Sequence, residues 1–148
     1  MGIFSIPMTI SGLLLWALSL AFPVFGQVQT SDWRKEVRDY SSAHEWESAL
    51  RVLDRELARA PQDLDIWAWQ ARVFAWSGQL VRAEKKYVEI LAVSQNDPDI
   101  WEGLGSVYLR QGRNSDALRA LDTAVKLDPT RADLHTARAR ALRAAGNQ

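Results

Sequence analysis

The chain has 148 residues, with 18 basic and 18 acidic side chains, two histidines and no cysteine. The lack of cysteine excludes a disulfide framework, a thiolate metal site and a cysteine nucleophile. A formal net charge of zero argues against a nucleic-acid partner, because such proteins usually carry a basic excess that neutralises phosphates. Every charged side chain lies at or after Asp32, so an uncharged opening segment precedes a charged remainder.

The opening segment is typical of an export signal. Residues 10–25 are almost entirely apolar, but Gly12 and Pro23 interrupt the run, which is shorter than the roughly 20 residues of a membrane-spanning helix. Val24 and Gly26 occupy the two positions at which a signal peptidase reads small residues. This pattern predicts cleavage after Gly26.

Residues 1–26 are therefore predicted to be a signal peptide, and the product is expected to be periplasmic or secreted. The segment lacks the Lys or Arg that usually precedes the apolar run of a signal. An uncleaved membrane anchor is the alternative, and membrane contact is expected only in that case.

Residue types recur in the remainder at a fixed step of 34 positions. Trp33, Trp67 and Trp101 follow this step. It also joins three other sets of residues: Tyr40, Phe74, Tyr108 and Leu142; Ala49, Ala83 and Ala117; and Gly78, Gly112 and Gly146. Several columns that agree on one period indicate a repeat protein.

Each period divides into two predicted helices. The apolar residues within 65–77 follow the i, i+4, i+7 spacing of one helical face, and Gly78 ends that helix. Thr130 and Asp133 resemble a capping box that opens a last helix. The further helices are predicted at residues 80–93, 101–111, 115–127 and 131–145.

The third period resembles a complete tetratricopeptide repeat. The residues that carry the resemblance are Trp101, Leu104, Gly105, Tyr108, Gly112, Ala117, Leu121, Ala124 and Pro129. The second period resembles it through Trp67, Ala71, Phe74, Gly78, Ala83 and Tyr87. The first is more degenerate and keeps Trp33, Tyr40, Ala49, Leu53 and Pro61.

The resemblance implies an all-α, tetratricopeptide-type solenoid of helical hairpins over residues 27–148. About three and a half repeats are expected after the signal segment: a degenerate repeat at 30–63, repeats at 64–97 and 98–131, and a terminal helix at 132–148. Within this fold Trp33, Trp67 and Trp101 are predicted to be core residues. His44 is expected in an exposed turn, and His135 is expected to be a partly buried residue of the end helix.

The resemblance also implies that the first helices of successive units line a concave groove. The candidate ligand residues on these helices are Arg34, Arg38, Trp69, Arg72, Trp76, Ser106, Arg110, Arg140 and Arg143. With Glu102 as the one acid expected among them, the surface is predicted to be basic and to hold an anionic or hydrogen-bonding ligand. The same arginines also fit ordinary surface charge near acids and helix ends.

Trp69, Arg72 and Trp76 are the most suggestive group, because the i, i+3 and i+7 positions share one helix face. Two indoles beside a guanidinium can stack on a sugar or hold a peptide side chain. Contact of Trp76 with the first helix of the next unit is the alternative.

Two functions remain open. The resemblance favours a non-catalytic protein- or peptide-binding scaffold that acts outside the cytoplasm. Residues 71–78 also resemble repeats that precede the β-barrel of bacterial outer-membrane proteins linked to exopolysaccharide export. The alternative is therefore a structural or glycan-contacting module of such an assembly, with an anionic polysaccharide as a possible ligand.

A catalytic function is not predicted. Gly103 and Gly105 look briefly like part of a dinucleotide-binding loop, but they lie inside a predicted helix and lack the third glycine. No metalloprotease or serine-nucleophile motif is present in the sequence. No cofactor and no metal site are expected.

Overall fold

The computed structural model describes residues 32–146. These residues form seven α-helices joined by short turns: α1 (Trp33–Ser42), α2 (Trp46–Arg59), α3 (Leu64–Trp76), α4 (Leu80–Val93), α5 (Pro98–Arg110), α6 (Asn114–Leu127) and α7 (Ala132–Gly146). The predicted all-α solenoid of helical hairpins is confirmed. No helix within 32–146 is long and apolar enough to cross a membrane. The predicted signal peptide lies outside the described residues.

The helices form two layers. Each helix packs mainly against its neighbours in sequence, and α5 also contacts both α3 and α7. The odd-numbered helices, which are the first helices of the repeats, therefore lie side by side. The candidate ligand residues all lie on these odd-numbered helices.

The turn inside each hairpin uses a residue with positive φ. His44, Gly78 and Gly112 have φ angles of 59°, 82° and 77° and stand 34 residues apart. This left-handed conformation ends a helix and is normally given to glycine. His44 is exposed, as predicted, and its ring lies 5.3 Å from the Trp46 ring, edge to face.

Two glycines of α5 allow side chains from neighbouring helices to approach closely. A Cβ atom at Gly105 would lie 2.7 Å from Leu121 Cγ of α6, and one at Gly103 would lie 2.5 Å from the hydroxyl oxygen of Tyr87 of α4. Both distances are shorter than ordinary contact. Glycine at these positions therefore lets α4 and α6 pack directly against α5.

The repeated tryptophans are half-buried at the edges of the core rather than fully inside it. Each indole Nε1–H of the second and third repeats donates to a carbonyl six residues earlier: Trp67 to Pro61 at 3.0 Å and Trp101 to Gln95 at 2.9 Å. The column therefore joins each first helix to the turn that precedes it. The predicted core position is therefore confirmed in part: the tryptophans pack against the core, but they remain partly exposed to solvent, and the indoles of Trp67 and Trp101 keep a hydrogen bond to the backbone.

The start of α7 differs from its prediction in two ways. His135 keeps the tryptophan column's contact, with Nε2 2.9 Å from the Pro129 carbonyl oxygen, but it is exposed because no further helix covers it among the described residues. The expected capping box does not form. Thr130 lies in a turn, where its hydroxyl donates to Asp128 at 2.7 Å, and the helix begins two residues later.

Candidate ligand groove

A row of three indoles runs from α1 along α3. The Trp69 ring centroid lies 6.1 Å from that of Trp33 and 6.3 Å from that of Trp76, both edge to face. Such edge-to-face pairs are favourable beyond the area they bury. Trp76 ends the row and is 48% exposed, so its indole is the one most accessible to a ligand.

Arginines flank this row. The guanidinium carbon of Arg34 lies 4.3 Å from the Trp33 ring centroid. The guanidinium carbons of Arg38 and Arg72 lie 5.9 Å and 5.5 Å from the Trp69 ring centroid. These cation–π contacts hold the guanidinium groups beside the row of indoles.

Carboxylates neutralise part of the predicted basic surface. Arg34 forms an ion pair with Asp65 of the next first helix, and Arg38 lies 3.8 Å from Asp32. The Arg110 guanidinium donates to the backbone carbonyl of Ala75, as a cap on the end of α3. Arg34 and Arg38 are therefore paired with carboxylates, whereas Arg110 bonds to a neutral carbonyl and keeps an uncompensated charge.

Three other candidate arginines have neither an ion pair nor a hydrogen bond through their side chains among the described residues. Within residues 32–146, Arg72 has the Trp69 ring as its contact and no carboxylate within salt-bridge distance. Arg140 and Arg143 are exposed on α7 and likewise have no ion-pair partner in that range. Of the three, Arg72 lines the cavity between α3 and α5.

A cavity of about 380 Å³ lies between α3 and α5. This volume falls within the usual range of about 300 to 1,000 Å³ for small-molecule sites. It is lined by Arg72, Ala75 and Trp76 of α3, by Tyr87 of α4, and by Asp99, Glu102, Gly103, Ser106 and Arg110 of α5. We call it the α3–α5 pocket.

The structure brings four of the candidate residues together here: Arg72, Trp76, Ser106 and Arg110. The others lie elsewhere. Arg34, Arg38 and Trp69 belong to the indole row beside the pocket, and Arg140 and Arg143 lie on α7.

The pocket also contains acids. Glu102 has no ion-pair or hydrogen-bond partner among the described residues. Its pKa is raised, first by burial and then by the negative charges of Asp99 and Asp133, while Arg131 and Arg72 oppose the shift. Asp99 differs, because it is ion-paired with Arg131. The pocket therefore offers one unpaired carboxyl group beside two guanidinium groups that have no ion pair among the described residues, those of Arg72 and Arg110.

Tyr87 is the pocket residue that the repeat pattern assigns only to packing. It is 2% exposed, and its hydroxyl lies beside the backbone of Gly103, at the pocket wall. The hydroxyl has no hydrogen-bond partner within residues 32–146, and burial raises its pKa. The sequence signal was Gly103 itself, whose missing Cβ opens the path for this ring.

Known protein families include one whose sequence pattern matches the repeats of this chain. Two models of the tetratricopeptide repeat match residues 34–99 and 77–141. The chain belongs to the tetratricopeptide repeat family. Members of the family are generally scaffolds rather than catalysts. The described residues hold no cluster of three or more His, Cys, Asp or Glu suited to a metal ion.

The chain is also similar to a short part of a much longer protein. This repeat chain is 34% identical over 97 residues to cellulose synthase operon protein C of Komagataeibacter xylinus. The match covers 65% of this chain and 8% of the relative, so the chain spans less than a tenth of that protein's length.

Solved structures agree on the fold. The first TPR domain of human RPAP3 superposes with a TM-score of 0.71 at 10% identity, covering 78% of this chain and 91% of that one. The first TPR of Spaghetti (RPAP3), bound to the HSP90 peptide SRMEEVD, gives 0.69 at 10% identity, covering 77% and 90%. At this identity the likeness shows the helical architecture alone.

Proposed function

We propose that this tetratricopeptide repeat chain is a non-catalytic scaffold of an envelope assembly that makes or exports a polysaccharide, and that its concave face contacts the glycan. The observation that carries the proposal is the α3–α5 pocket. It combines a half-exposed indole, Trp76, with an unpaired guanidinium, Arg72, and an unpaired carboxyl, Glu102. A sugar offers an apolar ring face together with hydroxyl groups that both donate and accept, so it can meet all three groups at once.

The sequence likeness supports the same direction. The chain is 34% identical to part of cellulose synthase operon protein C but 10% identical to the peptide-bound neighbour. A sequence identity of 34% is stronger support for a shared biological setting than a shared fold at 10% identity.

We also propose that the protein acts outside the cytoplasm. It is motivated by the apolar run at residues 10–25 and the small residues that end at Gly26. N-terminal sequencing of the protein from a periplasmic or secreted fraction is expected to begin at Gln27. Protein that retains Met1 and sediments with membranes would instead support the anchor.

The second candidate function is a scaffold for a protein or peptide partner. It is favoured by the superposition on a TPR domain that holds the peptide SRMEEVD. An acidic peptide of that kind needs free cations along the groove. Arg34 and Arg38 are already engaged by Asp65 and Asp32, which leaves fewer cations available than the sequence predicts.

The experiment is a direct binding comparison with the full chain. Cellohexaose, oligogalacturonate and the peptide SRMEEVD are titrated separately by calorimetry. We expect a glycan to bind and Trp76→Ala to weaken it about five- to tenfold, because an aromatic contact contributes on the order of 1 kcal/mol. Val88→Ala is the matched control, since Val88 has the same 48% exposure but lies on α4 outside the pocket.

Binding of the peptide alone, with its affinity lowered by Trp76→Ala, would replace the glycan proposal with the second candidate. Equal effects of the two alanine variants would show that the pocket is not the site.

A further inference from the structure

The last described helix, α7, has the pattern of the first helix of a repeat. Three packing columns continue in it, each 34 residues after the corresponding residue of α5: His135, Ala139 and Leu142. Their i, i+4, i+7 spacing places them on one helix face. The earlier first helices α3 and α5 each pack between two second helices, whereas α7 packs against one, α6, among the described residues.

In the third repeat, the second helix of the same repeat covers these columns. A Cβ atom at Gly105 of α5 would lie 2.7 Å from Leu121 Cγ of α6. The guanidinium carbon of Arg113, at the start of α6, lies 4.2 Å from the Tyr108 ring centroid. The corresponding face of α7 is therefore shaped to meet a second helix.

That face of α7 is exposed among the described residues. Leu142 is 52% exposed, whereas Phe74 in the same column is 6% exposed, and Ala139 is exposed where Ala71 is fully buried. A helix that ends a repeat array normally turns a polar face to solvent. Here the face keeps residues of the packing type. We call His135, Ala139 and Leu142 the open face of α7.

Positive charge lies beside the open face. Arg143 is the i+4 neighbour of Ala139, and Arg140 stands three residues before Arg143. Neither has an ion pair within residues 32–146. Arg138 is paired with an aspartate of α6, and the one acid of α7, Asp133, is paired with the arginine that precedes the helix. The uncompensated charge of α7 is therefore positive.

We propose that the open face of α7 docks one amphipathic helix of a partner protein, and that this helix resembles α6 on its apolar face and carries acidic residues beside it. The second helices α4 and α6 each bury an alanine and, four residues later, a larger side chain: Ala83 with Tyr87, and Ala117 with Leu121. A docked helix is expected to present the same pair. Acidic residues on it would neutralise the two free arginines.

A second copy of this chain fits the open face less well. Its described second helices, α2, α4 and α6, already bury their apolar faces inside their own hairpins. The open face also shares no residue with the α3–α5 pocket, so this inference is independent of the glycan contact proposed above.

The first test titrates the full chain into two fluorescently labelled peptides at low ionic strength. One peptide has the sequence of residues 113–127, which contain α6. The other keeps the apolar face but has Arg113, Arg119 and Lys126 replaced by glutamate. We expect the acidic peptide to bind about fivefold tighter or more, and to lose this advantage as salt screens the charges.

Matched variants locate the binding surface. Leu142→Glu places a charge in the open face and is expected to weaken the acidic peptide about tenfold or more, with little change in melting temperature because Leu142 is half-exposed. Val88→Glu makes a similar change on α4, at 48% exposure, and is expected to leave the affinity unchanged. Arg143→Gln is expected to weaken binding about two- to fivefold, and Lys85→Gln on α4 to leave it unchanged.

A second measurement removes the cost of folding the peptide, because a free helix of this length is marginal in water. The acidic segment is joined to Gln148 by a short Gly/Ser linker, which makes docking intramolecular. We expect the melting temperature to rise by about 4 °C or more, and Leu142→Glu to abolish the rise. Such a rise supports the inference even if the free peptide binds weakly.

Four results would overturn the inference. They are an unchanged melting temperature of the joined chain, a rise that persists in Leu142→Glu, equal weakening by Leu142→Glu and Val88→Glu, and tighter binding of the unmodified peptide than of the acidic one. Sedimentation that shows a dimer of the chain alone, dissociated by Leu142→Glu, would replace the partner with a second copy. None of these results bears on the binding of a glycan.

Discussion

Leu121 offers the sharpest test of the packing between the third repeat and α7. Its side chain is fully buried on α6 and faces Gly105 of α5. It belongs to a hydrophobic cluster with Ala117 of α6 and Ala141 of α7. Replacement by alanine removes three buried carbon atoms at a point where three helices meet. Its neighbours there include a glycine and two alanines, which are too short to fill the space.

The expected cost follows from this burial. Leu→Ala changes in cores cost about 2 to 5 kcal/mol, and the upper half of the range applies where the site cannot collapse. We therefore expect Leu121→Ala to lose about 3 to 5 kcal/mol of unfolding free energy. Leu142 of α7 is 52% exposed, so Leu142→Ala is expected to cost only about 1 kcal/mol, in proportion to the apolar area it buries.

Urea denaturation followed by circular dichroism gives both values. A difference of about 2 kcal/mol or more between the two variants is expected, with the larger loss for Leu121→Ala. Equal losses, or a Leu121→Ala protein within about 1 kcal/mol of the wild type, would refute the helix arrangement around Gly105.

Three further predictions concern α5. Gly105→Ala is expected to lower the free energy of unfolding by about 1 to 2 kcal/mol, because overpacking against Leu121 outweighs the gain of about 1 kcal/mol in helix propensity. A higher unfolding midpoint in urea would contradict this. Trp101→Phe removes the hydrogen bond from the indole N–H to the Gln95 carbonyl, so the free energy of unfolding is expected to fall by about 0.5 to 1.5 kcal/mol. An unchanged free energy of unfolding would show that this hydrogen bond contributes nothing. Glu102→Gln is expected to raise the melting temperature at neutral pH, because the raised pKa of the buried carboxyl means that its ionisation disfavours the folded state. That gain should vanish as the pH falls and wild-type Glu102 becomes protonated. A gain that grows towards low pH would have the wrong sign.

The 34-residue period made most of the fold predictable. Packing residues recur because every hairpin meets the same kind of neighbour, so their columns are visible in one sequence. The period even identifies His44 as a turn residue, since it stands in the column of Gly78 and Gly112.

The site was less predictable because its character depends on contacts outside the period. The pairing of Arg34 with Asp65 joins side chains 31 residues apart on different helices, and the repeat alone does not fix which rotamers meet. The Tyr87 hydroxyl reaches the α3–α5 pocket because Gly103 of the next helix has no side chain. Repeat columns describe what is alike between units, whereas the pocket depends on residues that differ.

The most direct test of the proposed function is an amide chemical-shift map of the ¹⁵N-labelled chain during titration with cellohexaose. We expect the largest shifts at Arg72, Gly103 and Ser106, which line the α3–α5 pocket, and at the side-chain indole N–H of Trp76. Amides of α2 and of the outer face of α4 are expected to remain unchanged. Shifts confined to those helices, or none at saturating sugar, would contradict a glycan site on the concave face.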